Sequence, residues 1–384
     1  MPEMFGTHHS KMLILIRHDD TAQVIIHTAN MIPFDWTNMT QGLWISPLLP
    51  KTTSTSTSAQ LPNFGSGSKF GLDLLNYLRA SDLGRPMSRS PVCTPLVEEL
   101  SKYDFSEIRA ALVASVPGRQ DMETDSETSW GWPGLKNALE NVPVADEQPE
   151  IVIQISSIAT LGGTDKWLEK SLFKTLETSK TQKVSKPTFR VIFPTADEIR
   201  RSLNGYASGS AIHTKLQSVQ QAKQLQYLKP IFCHWAGDGA QHPPANANLI
   251  CDAGRKRAAP HIKTYTRFTD SSRTAIDWML VTSANLSKQA WGDDMKPEGY
   301  VRVCSYEIGV LVWPKLFGEG ATMVPTFKTD IPVNENGRNG IVVGARMPYD
   351  LPIVPYGKMD EPWCATYSYE EPDWMGQTYS KAGD

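Results

Sequence analysis

No stretch of this 384-residue chain is apolar for anything near the ~18 residues that cross a bilayer. Cysteine is sparse: Cys93, Cys233, Cys251, Cys304 and Cys364 are odd in number and never form C-x-x-C. That excludes a disulfide-framed secreted fold and points to reduced thiols in the nucleus or cytosol. The opening Met1-Pro2-Glu3-Met4 has neither the basic flank nor the apolar stretch of a secretory leader. No acidic cluster has the spacing of a Mg²⁺ site. Zinc ligands can be assembled on paper from Cys233, His234, His242 and Cys251. The residues between them lack finger spacing, so neither metal nor cofactor is expected.

Charge of one sign is lacking too. A net −3 argues against a chain that coats itself in nucleic acid. Locally the balance shifts. Between Gly254 and Arg273, Arg255, Lys256, Arg257, Lys263, Arg267 and Arg273 face a single acid, Asp270. Such a cluster can meet phosphates, and it equally describes a solvated basic loop.

The length suits one large or two medium domains. Strand-like runs at 12–16, 22–30, 109–119, 150–163 and 189–193 alternate with helical patterns at 70–78 and 217–228. Thr195 and Glu198 have the spacing of a capping box opening a further helix. Residues 51–69, rich in Ser, Thr and Gly, read as a mobile loop. The alternation implies an α/β layered fold.

One pattern occurs twice. "HSKMLILI" holds His9 and Lys11, and "APHIKTY" holds His261 and Lys263 at the same spacing. Downstream, "VIIHTANMIPFDW" is echoed by "WMLVTSANLSKQAW": an apolar strand ends in Ala-Asn, at Asn30 and Asn285. A Trp stands six residues after each Asn, at Trp36 and Trp291. A polar residue then opens the next strand, Gln41 in one copy and Glu307 in the other. Four shared features in one order imply an internal duplication with one half-site per unit, here 1–112 and 113–384.

Histidine and lysine two residues apart in an extended segment share a face. Imidazole supplies a nucleophile, acid or base near neutral pH, lysine a point charge, and asparagine a neutral donor for a phosphate oxygen. Two such units facing one another make a metal-free phosphoryl-transfer site.

These residues resemble the paired H-x-K motifs of the phospholipase D superfamily. With Asn in place of the usual Asp, and with "FGTHHSKM", "TQGLWISP", "VTSANLSKQAWG", "SYEIGVL", "SSIATLGG" and "VIFPTADEIRRSLNGY", the chain is similar to tyrosyl-DNA phosphodiesterases of the topoisomerase I-repair type. The resemblance implies two similar α-β-α sandwich domains in a pseudo-two-fold arrangement. It implies a nuclear, monomeric DNA-repair hydrolase acting without metal on single-stranded or duplex DNA 3′ ends that carry topoisomerase I peptide or other adducts, and no membrane.

By that resemblance His9 is the nucleophile and His261 the general acid and base. Lys11, Lys263, Asn30 and Asn285 hold the phosphate, while Gln41 and Glu307 orient the histidines. Phe5 stacks on a base, and Ser156, Ser157, Ser283 and Ser287 bind DNA phosphates. His8 is the neighbouring histidine without assigned chemistry. Two departures accompany the match. The first motif begins within ten residues of the start, so a truncated first domain with exposed strand neighbours is expected. Ala365 stands where an aromatic is expected after Trp363, so the DNA groove should differ there. Two alternative functions are a DNA-end-binding remnant with little turnover and a phospholipase D-like nuclease or lipid phosphodiesterase.

Overall fold

A computed structural model gives the structure and describes residues 3–52, 62–83, 92–122, 126–182, 184–236, 251–332 and 340–380. His242 of the zinc reading and residues 53–61 of the expected loop lie outside them. Among the described residues the larger sheet has seven strands. Their order is Phe232–Cys233, Thr188–Ile192, Glu150–Gln154, Thr264–Phe268, Ile276–Thr282, Glu307–Val312 and Ala111–Ser115. The first three run parallel and the rest pair antiparallel.

A smaller sheet joins Met12–Ile16, Thr21–His27 and Leu43–Ile45. Alternation along Thr21–His27 buries Ala22, Val24 and Ile26 against the helix Gly67–Leu83 through Phe70, Leu74 and Tyr77. That helix starts three residues earlier than its apolar spacing suggests. Gly67 makes the start possible, because a Cβ there would lie 1.7 Å from the Phe105 carbonyl oxygen.

The expected boundary at 112/113 falls inside the strand Ala111–Ser115. This strand hydrogen-bonds to Glu307–Val312 in the larger sheet. Its side chains alternate between two cores: Ala111 and Val113 join the main one, Leu112 and Ala114 the smaller. Ile308 and Val310 also enter the smaller core, so the two sheets share a seam. The other face of the smaller sheet leaves Leu15, Leu43 and Ile45 exposed.

The Thr195–Glu198 capping box forms: Thr195 Oγ1 accepts from Glu198 N–H and Glu198 Oε2 from Thr195 N–H. The basic run at 254–273 disperses on folding. Lys256 meets Asp350, Arg267 is buried against Asp277, and Arg273 meets Glu150. Carboxylates outside the run thus pair with Lys256, Arg267 and Arg273. Among the described residues no helix is long and apolar enough to cross a membrane.

Candidate active site

Each H-x-K segment runs directly into an antiparallel hairpin. Lys11 precedes Met12–Ile16, which pairs with Thr21–His27; Lys263 precedes Thr264–Phe268, which pairs with Ile276–Thr282. The His27 N–H donates to the Lys11 carbonyl at 3.1 Å, and the Thr282 N–H to the Lys263 carbonyl at 3.1 Å. Both donors lie three residues before the repeated asparagine. Each lysine ammonium folds back onto the carbonyl of its own histidine, Lys11 at 2.6 Å and Lys263 at 2.5 Å. The duplication read in the sequence is therefore a duplication in space.

The two copies are then crossed. The His9 N–H donates to the Tyr306 carbonyl at 3.0 Å, and the His261 N–H to the Thr40 carbonyl at 3.1 Å. The next residue along in each case, Glu307 or Gln41, so arrives beside the histidine of the other copy. His9 Nδ1 lies 3.0 Å from Glu307 Oε2, and His261 Nδ1 lies 3.3 Å from Gln41 Oε1. Thr28 Oγ1 donates to Gln41 Oε1, and Gln41 Nε2 donates to the Asp35 carbonyl, which fixes the amide's orientation.

Burial would raise the Glu307 carboxyl, but His9, the Ser283 hydroxyl and Lys11 outweigh it and hold the group below its ordinary value. An ionised Glu307 only accepts. His9 Nδ1 must therefore donate, which leaves the lone pair of neutral His9 on Nε2.

The asparagines are held differently. Asn285 Oδ1 accepts from the Ser156 and Ser157 backbone N–H groups at 3.1 and 2.9 Å, which leaves its NH₂ as the free end of the amide. Asn30 instead leans on Asp35: its backbone N–H and its Nδ2 both donate to Asp35 Oδ2, at 2.6 and 3.0 Å. The same Oδ2 lies 3.2 Å from His261 Nδ1. Sequence reading passed over Asp35, because the second copy has Ala290 at that offset and offers no acid to match.

His9, His261, Asn30 and Asn285 line one cavity of about 430 Å³ with Asp35, Ser156, Ser157, Ser287, Glu307 and His213. It is crowded with cationic groups. Burial pushes the Lys11 and Lys263 ammoniums down, and Lys263, fully buried, is further lowered by Lys11. Burial, then Lys263 and Lys11, drives the His261 imidazole well below its ordinary value. His213 is lowered by burial and by Lys215 and Lys263. Nothing in the repeat pattern flagged His213. A site where cations repel one another favours an arriving phosphodiester, whose negative charge relieves the repulsion.

The DNA-contact candidates divide. Ser156, Ser157 and Ser287 face the cavity. Ser287 is also the N-cap of Lys288–Trp291. Phe5 is 75% exposed just before the first motif. Ser283 is not brought to the cavity wall. It is buried, its hydroxyl donating to Glu307 Oε2 and accepting from the Ile308 N–H. The period of two along the strand end turns it behind Glu307 rather than toward DNA. His8 lies against Tyr306 with the rings tilted and their centroids 5.0 Å apart.

Residues 1–357 match the family described as tyrosyl-DNA phosphodiesterase. The chain belongs to the tyrosyl-DNA phosphodiesterase family. It is 32% identical to a probable tyrosyl-DNA phosphodiesterase of Schizosaccharomyces pombe, over 98% of this chain and 78% of the relative. It is 30% identical to tyrosyl-DNA phosphodiesterase 1 of Arabidopsis thaliana, over 99% of this chain and 62% of the relative. The Drosophila melanogaster protein of the same name is 32% identical, over 96% of this chain and 58% of the relative. The crystal structure of yeast tyrosyl-DNA phosphodiesterase superposes with a TM-score of 0.67 at 20% identity, over 94% of this chain and 78% of that one. The fold is the phospholipase D-like one of that family. The family is one of phosphodiester hydrolases, and a lipid enzyme or an inert remnant is not the reading these matches favour.

Proposed function

We propose that this chain is a DNA-repair phosphodiesterase that hydrolyses the link between a DNA 3′-phosphate and a tyrosine, as in topoisomerase I adducts, and other 3′ adducts. The observation that carries the proposal is the crossed pair of half-sites. Two histidines and two asparagines line one cavity, a lysine folds onto the carbonyl of each histidine, and each histidine is steered by a residue from the opposite copy.

His9 Nε2 attacks the phosphorus and forms a P–N bond. The P–O bond to tyrosine breaks, and its oxygen takes a proton from His261 Nε2. In the second step water attacks the phosphorus and gives its proton to His261. The P–N bond breaks, leaving a DNA 3′-phosphate and neutral His9. Lys11 and Lys263, folded on the histidine carbonyls, turn to the phosphate oxygens with the amides of Asn30 and Asn285. Burial, and then its cationic neighbours, hold the free His261 neutral. A bound phosphate reverses that balance and favours the protonated form the first step needs.

Ser156, Ser157 and Ser287 suit backbone phosphates at the cavity wall. Phe5, exposed beside the first motif, suits stacking on a base near the 3′ end of single-stranded or duplex DNA. His9, Lys11 and Asn30 form one half-site and His261, Lys263 and Asn285 the other, the chain acts as a monomer, and the work is nuclear. The test is an oligonucleotide carrying 3′-phosphotyrosine, incubated with the protein in EDTA. Release of tyrosine with a 3′-phosphate product is expected. Binding without release, or cleavage of phosphatidylcholine instead, would overturn the proposal.

A further inference from the structure

Glu307 gives His9 a carboxylate, whereas the repeat pattern gives His261 only the neutral Gln41. The structure supplies the missing charge from elsewhere. Asp35 is 1% exposed, and its Oδ2 stands 3.2 Å from His261 Nδ1, closer than Gln41 Oε1 at 3.3 Å. We infer that Asp35 is the positioning residue for His261, the counterpart across the pseudo-two-fold of Glu307 behind His9. This inference rests on the proposed roles of the two histidines.

Three features show a carboxylate aimed at the ring rather than merely enclosed. Both donors of Asn30 fix Oδ2 in place. The Asp35 carbonyl receives Gln41 Nε2 at 3.2 Å, and Trp36 Nε1 closes the loop onto the Asn30 carbonyl at 2.8 Å. The second oxygen, Oδ1, is buried and has no hydrogen-bond partner among the described residues.

The consequence is chemical. With its Nδ1–H turned to Gln41 Oε1 and Asp35 Oδ2 standing 3.2 Å from the same nitrogen, His261 exchanges protons at Nε2, the nitrogen left for the tyrosine oxygen and then for water. The carboxylate also stabilises the imidazolium that forms after water is deprotonated. Glu307 does the same for His9 once its ring carries the phosphoryl group. The duplication thus converged on two carboxylate–imidazole pairs by unrelated routes, a strand-opening Glu in one and an acid in the Asn-to-Trp loop in the other.

The test uses the whole chain and two oligonucleotides, one ending in 3′-phosphotyrosine and one in a 3′-(4-nitrophenyl) phosphodiester. 4-Nitrophenolate leaves without needing a proton, so only the tyrosyl substrate depends on His261 as acid. In Asp35→Asn the rate of tyrosine release should fall about 10²-fold relative to the first-turnover release of nitrophenolate. The His9 adduct should then persist longer. The two rates are read on one sample, so their ratio does not depend on how much of the variant folds, and Asp35→Ser should give the same ratio. Equal losses on both substrates would make Asp35 a structural residue and overturn the inference. A wild-type protein that releases neither group would instead overturn the active-site reading itself.

Discussion

His9 Nδ1 and Glu307 Oε2 are 3.0 Å apart although 298 residues separate them in the chain. The tautomer of the histidine in one copy is thus set by the other copy, and neither half-site is complete alone. In Glu307→Gln the charge is lost while an acceptor for Nδ1–H remains. Adduct formation in a single turnover should slow about 10²-fold or more, with DNA affinity little changed. Weakened DNA binding with an unaltered chemical step would contradict the crossed pairing.

Ser283 offers a sharper discrimination. Its hydroxyl supports Glu307 Oε2 and caps the Ile308 N–H. Ser283→Ala should lower kcat and leave the Kd for an uncleavable 3′-end oligonucleotide unchanged. A serine gripping a DNA phosphate would show the reverse, weaker binding and a normal chemical step.

Lys263 is completely buried beside Lys11, an arrangement that opposes folding in the absence of an anion. Lys263→Met keeps the stem's volume and removes the charge. Its Tm should equal or exceed that of the wild type, while turnover falls about 10²-fold or more. A lower Tm would mean that the ammonium stabilises the free fold.

The depressed His261 has a consequence for stability. Below its unfolded pKa of ~6.5 the unfolded chain binds a proton that the folded chain refuses, so stability falls with pH by up to about 1.4 kcal/mol per unit. His213 acts with the same sign. His234 acts with the opposite sign. Burial would lower it, but Glu198 and Asp360 raise it, so its contribution is present in acid and lost as pH rises through its folded value. Urea unfolding at pH 7.5 and 5.5 should show His261→Asn losing less stability than the wild type. An equal loss would contradict the burial of a neutral His261.

Much of this site was legible in the sequence because its two copies repeat at matched offsets. His9, Lys11 and Asn30 could be named from His261, Lys263 and Asn285 before any fold was known. What stayed hidden lay outside the repeat or depended on side-chain direction. Asp35 has Ala290 at its matching offset, so comparing the copies erased it. Ser283 sits among motif residues, but one step along an extended segment turns it from the cavity to the back of Glu307. His213 reaches the wall from an isolated bridge to Ser157, a contact no periodicity predicts. The crossing of Gln41 and Glu307 was equally invisible. Each stands downstream of its own copy's asparagine, and only the pairing of His9 with Tyr306 and of His261 with Thr40 carries them across.

The central claim is that His9 bonds to phosphorus and His261 moves the protons. The most direct measurement follows 3′-phosphotyrosyl oligonucleotide with wild type, His261→Asn and His9→Ala, resolving covalent protein–DNA adduct on denaturing gels. His261→Asn should accumulate adduct that clears slowly, wild type should show it only fleetingly, and His9→Ala should show none and release no tyrosine. Adduct formed by His9→Ala, or full turnover without His9, would contradict the account.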